Sequence, residues 1–234
     1  MTQTVSNPDL AVLTAQALEI LVKQIQAVLT RKNQAVLALP GGRSVKGLFG
    51  LLADASKIDW SRVHIFLLDE RLLPLTDPES NFKLLEESLA RKLLANGQLP
   101  RKNLHPFVYH FAATDGGLSA YEKELQQCGG IYDMVVASAG EDGHIGALFP
   151  NHHSIESQAE FYLAMNDSPK PPPGRMTASR ALISRGEHGL ILFFGESKRP
   201  AYQNYLDPQL TVEDCPAKLM DQIKDSYVIT DLKL

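Results

Sequence analysis

Cysteine is scarce: the 234 residues hold only two, Cys128 and Cys215, too few for a disulfide framework and at no zinc-motif spacing. Positive charge is not in excess either. The 23 Lys and Arg face 27 Asp and Glu, a formal net charge of -4 at pH 7, which excludes a broad electrostatic pull toward nucleic acid or an anionic membrane surface. Any anionic ligand must then be held by a local cluster of donors. No uninterrupted apolar run approaches the roughly 20 residues that span a bilayer. The start "MTQTVSNPDLAVLTAQ" has neither the basic opening nor the apolar core of a secretory signal, so the expected setting is the reducing cytoplasm. Internal repeats and low-complexity tracts are also missing. What is present, 44% hydrophobic and 21% charged residues, is the composition of a folding chain large enough to bury a sizeable core. One α/β domain over residues 1–234 is the expectation.

Apolar residues at helical spacing (Leu10, Leu13, Ala17, Ile20, Leu21, Ile25, Val28) predict an amphipathic helix over 9–30, capped by Asn7, Pro8 or Asp9. After it the chain alternates. "AVLALP" reads as a strand ending at a glycine turn, with a helix resuming in "SVKGLFGLLAD". "RVHIFLL" reads as a strand opening onto the charged loop "DER" and then a helix in "PESNFKLLEESLARKLL". The helix "LSAYEKELQQC" precedes the strand "YDMVVASAG", and the strand "HGLILFF" leads through "GES" into "KRPAYQNYL". Repeated β-then-α order predicts a mostly parallel sheet with helices on both faces, Rossmann-like, whose ligand site lies where the strands' carboxyl ends meet the loops. The segment "NDSPKPPPGRMTAS" places four prolines in five residues, a rigid extended loop rather than a domain boundary.

Four loops carry chemistry. In "PGGRS", Gly41 and Gly42 let the backbone approach a ligand closely, while free N–H groups at the next helix start favour an anion such as phosphate, with Arg43 and Ser44 at hand. The same stretch also reads as an ordinary β-to-α turn with Ser44 as N-cap. It matches neither a Walker A loop nor a dinucleotide fingerprint. In "DER", Arg71 is suited to bidentate binding of phosphate or carboxylate, with Asp69 or Glu70 orienting it; the alternative is solvated surface charge. In "GEDGH", His144 has the chemistry to take a proton from water and a nearby carboxylate to fix its tautomer, against the plainer reading of an Asp-Gly turn with an exposed histidine. In "GESK", Lys198 stands at a helix start as a point charge for phosphate or as surface lysine, and Arg175 and Lys170 flank the proline run. His152 and His153 lack the i,i+4 spacing of familiar zinc sites, so no metal is expected. Cys128, Trp60 and the Phe193–Phe194 pair read as core or chance.

In order and spacing, "LALPGGRS", "LLDERLLP" with "SNFKLL", "GEDGHIGALFP", "SPKPPPGRMT" and "GESKRPAY" resemble the 6-phosphogluconolactonases, within the wider family of sugar-phosphate isomerases and deaminases. Five motifs in register over about residues 35–205 make the resemblance specific. The related glucosamine-6-phosphate deaminases ordinarily have an aromatic after Asp-Glu and Asn-Glu-Pro after the histidine segment. Arg71 and "ALFP" stand there instead. The resemblance implies hydrolysis of 6-phosphoglucono-1,5-lactone, a small phosphorylated sugar lactone, with no cofactor. It implies that His144 acts as the base, Asp142 orients it, and Arg71 binds substrate and stabilises negative charge. Gly41, Gly42, Arg43, Ser44, Asp69, Arg175 and Lys198 are implied to bind substrate and phosphate. The chain departs from the usual pattern at Ile145 and Ala147, which replace two hydroxyl residues beside the proposed base, and at Pro40 and Arg43-Ser44-Val45 around the glycines.

Overall fold

The helical spacing near the N-terminus folds as α1 (Leu10–Arg31), after a short edge strand, β1 (Gln3–Ser6); the computed structural model describes residues 2–233. Asp9 caps α1, its carboxylate accepting the N–H groups of Ala11 at 2.8 Å and Val12 at 3.2 Å. By length and composition this one helix could cross a membrane. Here its stripe of Leu13, Ala17, Leu21, Ile25 and Val28 is buried in the core.

The alternation continues with β2 (Ala35–Leu39), α2 (Lys46–Ala53), β3 (Val63–Leu67) and β4 (Asp69–Arg71). Next come α3 (Asn81–Leu85), α4 (Arg91–Ala95), β5 (Leu104–His105), α5 (Leu118–Gln127) and β6 (Met134–Ser138). The rest comprises α6 (His153–Glu156), β7 (Tyr162–Met165), β8 (Arg175–Ala178), α7 (Arg180–Ser184), β9 (His188–Phe193), α8 (Arg199–Leu206) and β10 (Asp225–Thr230).

Seven strands form an all-parallel sheet in the order β1-β10-β9-β6-β2-β3-β5. Both faces are covered, which is why the strands read as unbroken apolar runs. Leu37, Leu39, Ile65, Leu67 and Val136 pack with α1 and α2 residues, whereas Val36, Ala38, Phe66, Val135 and Ala137 belong to the opposite core with α5 and α8 residues. From β2 the chain winds one way, to β3 and β5; from β6 it winds the other way, to β9 and β10. The crevice between β2 and β6 is therefore the topological switch point, where open α/β sheets bind ligands.

Two expectations need correction. The "DER" stretch is not a loop: Asp69–Arg71 is β4, paired antiparallel with β8, and β7 completes a second, three-stranded sheet. Three residues with two buried acids carry no apolar alternation from which a strand can be read. The proline-rich segment "NDSPKPPPGRMTAS" is also not loop throughout, since its Arg175–Ala178 is β8, paired on both sides. The helix expected after "DER" is present, α3 running into α4 through a π-helical stretch at Glu86–Ala90.

Candidate active site

The loops after β2, β6 and β9, with β4 and the proline segment, enclose a cleft of about 470 Å³. Every sequence-predicted site residue except Asp142 lines it: Gly41, Gly42, Arg43, Ser44, Asp69, Arg71, His144, Arg175 and Lys198. Asp142 stands directly behind His144, its Oδ1 2.5 Å from Nδ1. Ionised carboxylate can only accept, so Nδ1 carries the proton and Nε2 is left with the lone pair. The backbone N–H of His144 donates to the same oxygen at 3.3 Å, and Lys170 Nζ lies 3.5 Å from Oδ2. Burial alone would raise the Asp142 pKa, but the hydrogen bonds and charge of His144, with help from Lys170, hold it well below the usual carboxylate range.

Glycine makes this pair possible. A Cβ on Gly140 would sit 2.1 Å from both Nδ1 and Cε1 of His144, so only a residue without one leaves the ring its place. On the neighbouring loop, a Cβ on Gly41 would fall 1.8 Å from Asn81 Oδ1. Asn81 is buried against Gly41, and its amide donates to the Asp69 carbonyl at 2.8 Å, fixing the start of α3 to β4. Ser44 is not a helix cap: it lies within a 3₁₀ turn, Arg43–Val45, that opens without any side-chain cap bond, and it lines the cleft.

Arg71 and Arg175 are direct register partners across β4 and β8. Arg175 is 5% exposed and clamped by the proline run, donating through Nε to the Pro172 carbonyl at 3.0 Å and through Nη2 to the Pro171 carbonyl at 2.9 Å. Burial pulls its pKa down and the Arg71 charge adds to this. Arg71 donates to the Glu79 carbonyl. Glu70 does not orient the guanidinium. Fully buried, it accepts the backbone N–H groups of Arg71, Asn81 and Phe82 and the Ser80 hydroxyl, thereby holding the start of α3 against β4. Burial raises its pKa, with those hydrogen bonds opposing. Lys198 is likewise pulled below its ordinary value, by burial and by Arg43 and Lys170, against Glu141 and Asp142. Five cations thus meet at one cleft of a net acidic chain.

Asn81, Glu141, Phe149, Phe194 and Ser197 also line the cleft and were not singled out for it in sequence. Asn81 had one usable signal, its place at the start of the helix in the "SNFKLL" motif. Ile145 and Ala147 are fully buried core residues, so the exchanged hydroxyl positions do not face the cleft. His152 caps α6, and His153 lies 3.0 Å from Asp167; neither lines the cleft.

Fold and cleft define a class: a doubly wound α/β protein built to hold an anionic ligand beside a carboxylate–histidine pair. The family described as glucosamine-6-phosphate isomerases/6-phosphogluconolactonase matches over residues 8–229, and the chain belongs to it. It is 30% identical to a 6-phosphogluconolactonase of Borreliella burgdorferi over 84% of this chain and 83% of that one. With a 6-phosphogluconolactonase of Mycobacterium tuberculosis the identity is 34% over 83% and 81% of the two chains. A solved 6-phosphogluconolactonase from Shewanella baltica, 27% identical, superposes with a TM-score of 0.81 over 98% of this chain and 96% of that one. A monomeric glucosamine-6-phosphate deaminase, 20% identical, shares the fold at a TM-score of 0.78, covering 98% and 97%.

Proposed function

We propose that this chain hydrolyses 6-phosphoglucono-1,5-lactone to 6-phosphogluconate, the activity for which its relatives of 30–34% identity are named. The observation that carries the mechanism is the Asp142–His144 pair, set with the imidazole on a cleft lined by five cations. His144 Nε2 takes a proton from water as its oxygen attacks the lactone carbonyl. The tetrahedral oxyanion collapses, the bond to the ring oxygen breaks, and His144 returns the proton to that oxygen as it becomes a hydroxyl. The new carboxylic acid ionises to solvent. Asp142 keeps Nδ1 protonated and stabilises the imidazolium between the two transfers.

The phosphate is assigned to Gly41, Gly42, Ser44, Arg43, Arg175 and Lys198, and Arg71 supplies positive charge to the reacting end. Asp69, which also lines the cleft, is assigned to the substrate. The test is acid release from freshly generated lactone at near-neutral pH, measured against spontaneous hydrolysis. Turnover well above background supports the proposal, and binding without turnover would make the chain a sugar-phosphate sensor. Because a deaminase shares the fold, ammonia release from glucosamine 6-phosphate is measured beside it; ammonia without lactonase activity overturns the assignment.

A further inference from the structure

Cys128, which the sequence offered as core or chance, does not stand alone. It closes α5 and approaches the β3–β5 edge, where its Sγ lies 3.3 Å from His64 Nδ1. That same nitrogen is 3.0 Å from His105 Nε2, and His105 Nδ1 is 2.7 Å from a Glu124 carboxylate oxygen. None of these four residues lines the cleft. All three donor atoms lie within 4.8 Å of one another.

We propose that His64, His105 and Cys128 form a binding site for a borderline-soft divalent transition-metal ion of the Zn²⁺ class, with water completing a tetrahedron. Three observations support it. First, metal bonds of about 2.0–2.1 Å to nitrogen and 2.3 Å to sulfur at tetrahedral angles separate the donors by about 3.3 to 3.6 Å. The observed 3.0 and 3.3 Å require the donors to part by only a few tenths of an ångström. Second, Glu124 holds the far nitrogen of His105, the carboxylate–histidine arrangement found behind metal ligands, and it directs the Nε2 lone pair toward His64 and Cys128. Third, the site is partly covered: His105 is 8% exposed and stacks on Phe66 at 4.0 Å.

Proton bookkeeping is simple. In the free protein His64 Nδ1–H donates to His105 Nε2. On binding, His64 carries its proton on Nε2 instead, and the Cys128 thiol releases one proton to solvent as thiolate. Lys102 faces His64 and opposes cation binding electrostatically, whereas Glu124 favours it.

The experiment is a Co²⁺ titration of the full chain after chelator treatment and desalting, read by visible and near-ultraviolet absorption. Expected are one equivalent of tetrahedral Co²⁺, a thiolate-to-metal charge-transfer band, and displacement of both signals by Zn²⁺. Cys128→Ser abolishes the charge-transfer band, and His105→Ala weakens binding at least tenfold, while circular dichroism and the cleft's activity stay at wild-type level. An absence of stoichiometric Co²⁺ spectra in the wild-type protein overturns the proposal, whatever the variants do. So does a charge-transfer band that persists in Cys128→Ser, and so does binding without any such band, since His152, His153 and Asp167 form a sulfur-free group that would take the ion that way.

Discussion

Replacing Gly140 by Ala tests the proposed chemistry through a single methyl group. Gly140 is not among the residues with positive φ, so alanine adopts its backbone conformation without strain. The added Cβ meets the His144 ring at 2.1 Å and Asp142 Oδ1 at 2.8 Å, whereas ordinary contact begins at 3.4 Å. The ring must therefore give way by about 1.3 Å, breaking its 2.5 Å bond to Asp142. A displacement of about 1 Å costs on the order of 10²-fold when a catalytic group must meet its target in a near-attack geometry. That corresponds to about 2.7 kcal/mol of activation free energy. Lactone hydrolysis by Gly140→Ala should thus show kcat lower by about 10²-fold, with KM little changed because the cations and the glycine loop remain. Its stability in urea should fall by no more than the one charge-assisted hydrogen bond lost, about 1.5–3 kcal/mol. A kcat within twofold of wild type would refute the claim that this ring position matters, most sharply if His144→Ala is inactive in the same assay.

His144→Ala itself should lower kcat by about 10²- to 10⁴-fold without altering the fold, as loss of a general base does; an unchanged rate removes His144 from the mechanism. Asp142→Asn should lose kcat in the same range by releasing the tautomer. Because the Asp142 pKa is depressed in the folded chain, its stabilising contribution is complete above the ordinary carboxylate range and fades only as pH falls through the lowered value. Any acid limb of kcat/KM found between pH 5 and 7 is therefore not that of Asp142, and a limb that Asp142→Asn abolishes without changing kcat on the plateau would contradict this. Arg71→Ala should reduce kcat/KM by on the order of 10²-fold, chiefly through kcat if the charge serves the oxyanion; an effect on KM alone reassigns Arg71 to the phosphate. Glu70→Gln should cost stability rather than chemistry. The amide nitrogen takes the Oε2 side, where the Ser80 hydroxyl can turn to accept and the Phe82 N–H is left orphaned, about 1–3 kcal/mol in urea denaturation.

Local chemistry made much of this molecule readable before any coordinates. The period of α1, its Asp9 cap, and apolar strands running into glycine- or charge-rich loops are short-range signals, and they produced the parallel sheet. A pairing of His144 with a neighbouring carboxylate was legible for the same reason, but the residues alone left Glu141 and Asp142 open, and the fold of the loop brings Asp142 onto Nδ1. Only the tertiary structure decided the rest. The facing of Arg71 and Arg175 depends on β4 pairing with a strand that starts more than a hundred residues later, and no periodicity encodes that register. Glu70 reads as surface charge in sequence, yet is buried because three backbone N–H groups converge on it when α3 docks. His64, His105 and Cys128, 41 and 23 residues apart, meet only because β3 pairs with β5 and α5 ends over both. Short-range propensity sets elements and neighbours along the chain; long-range packing sets which buried polar groups face one another, and that is where the chemistry of this protein lies.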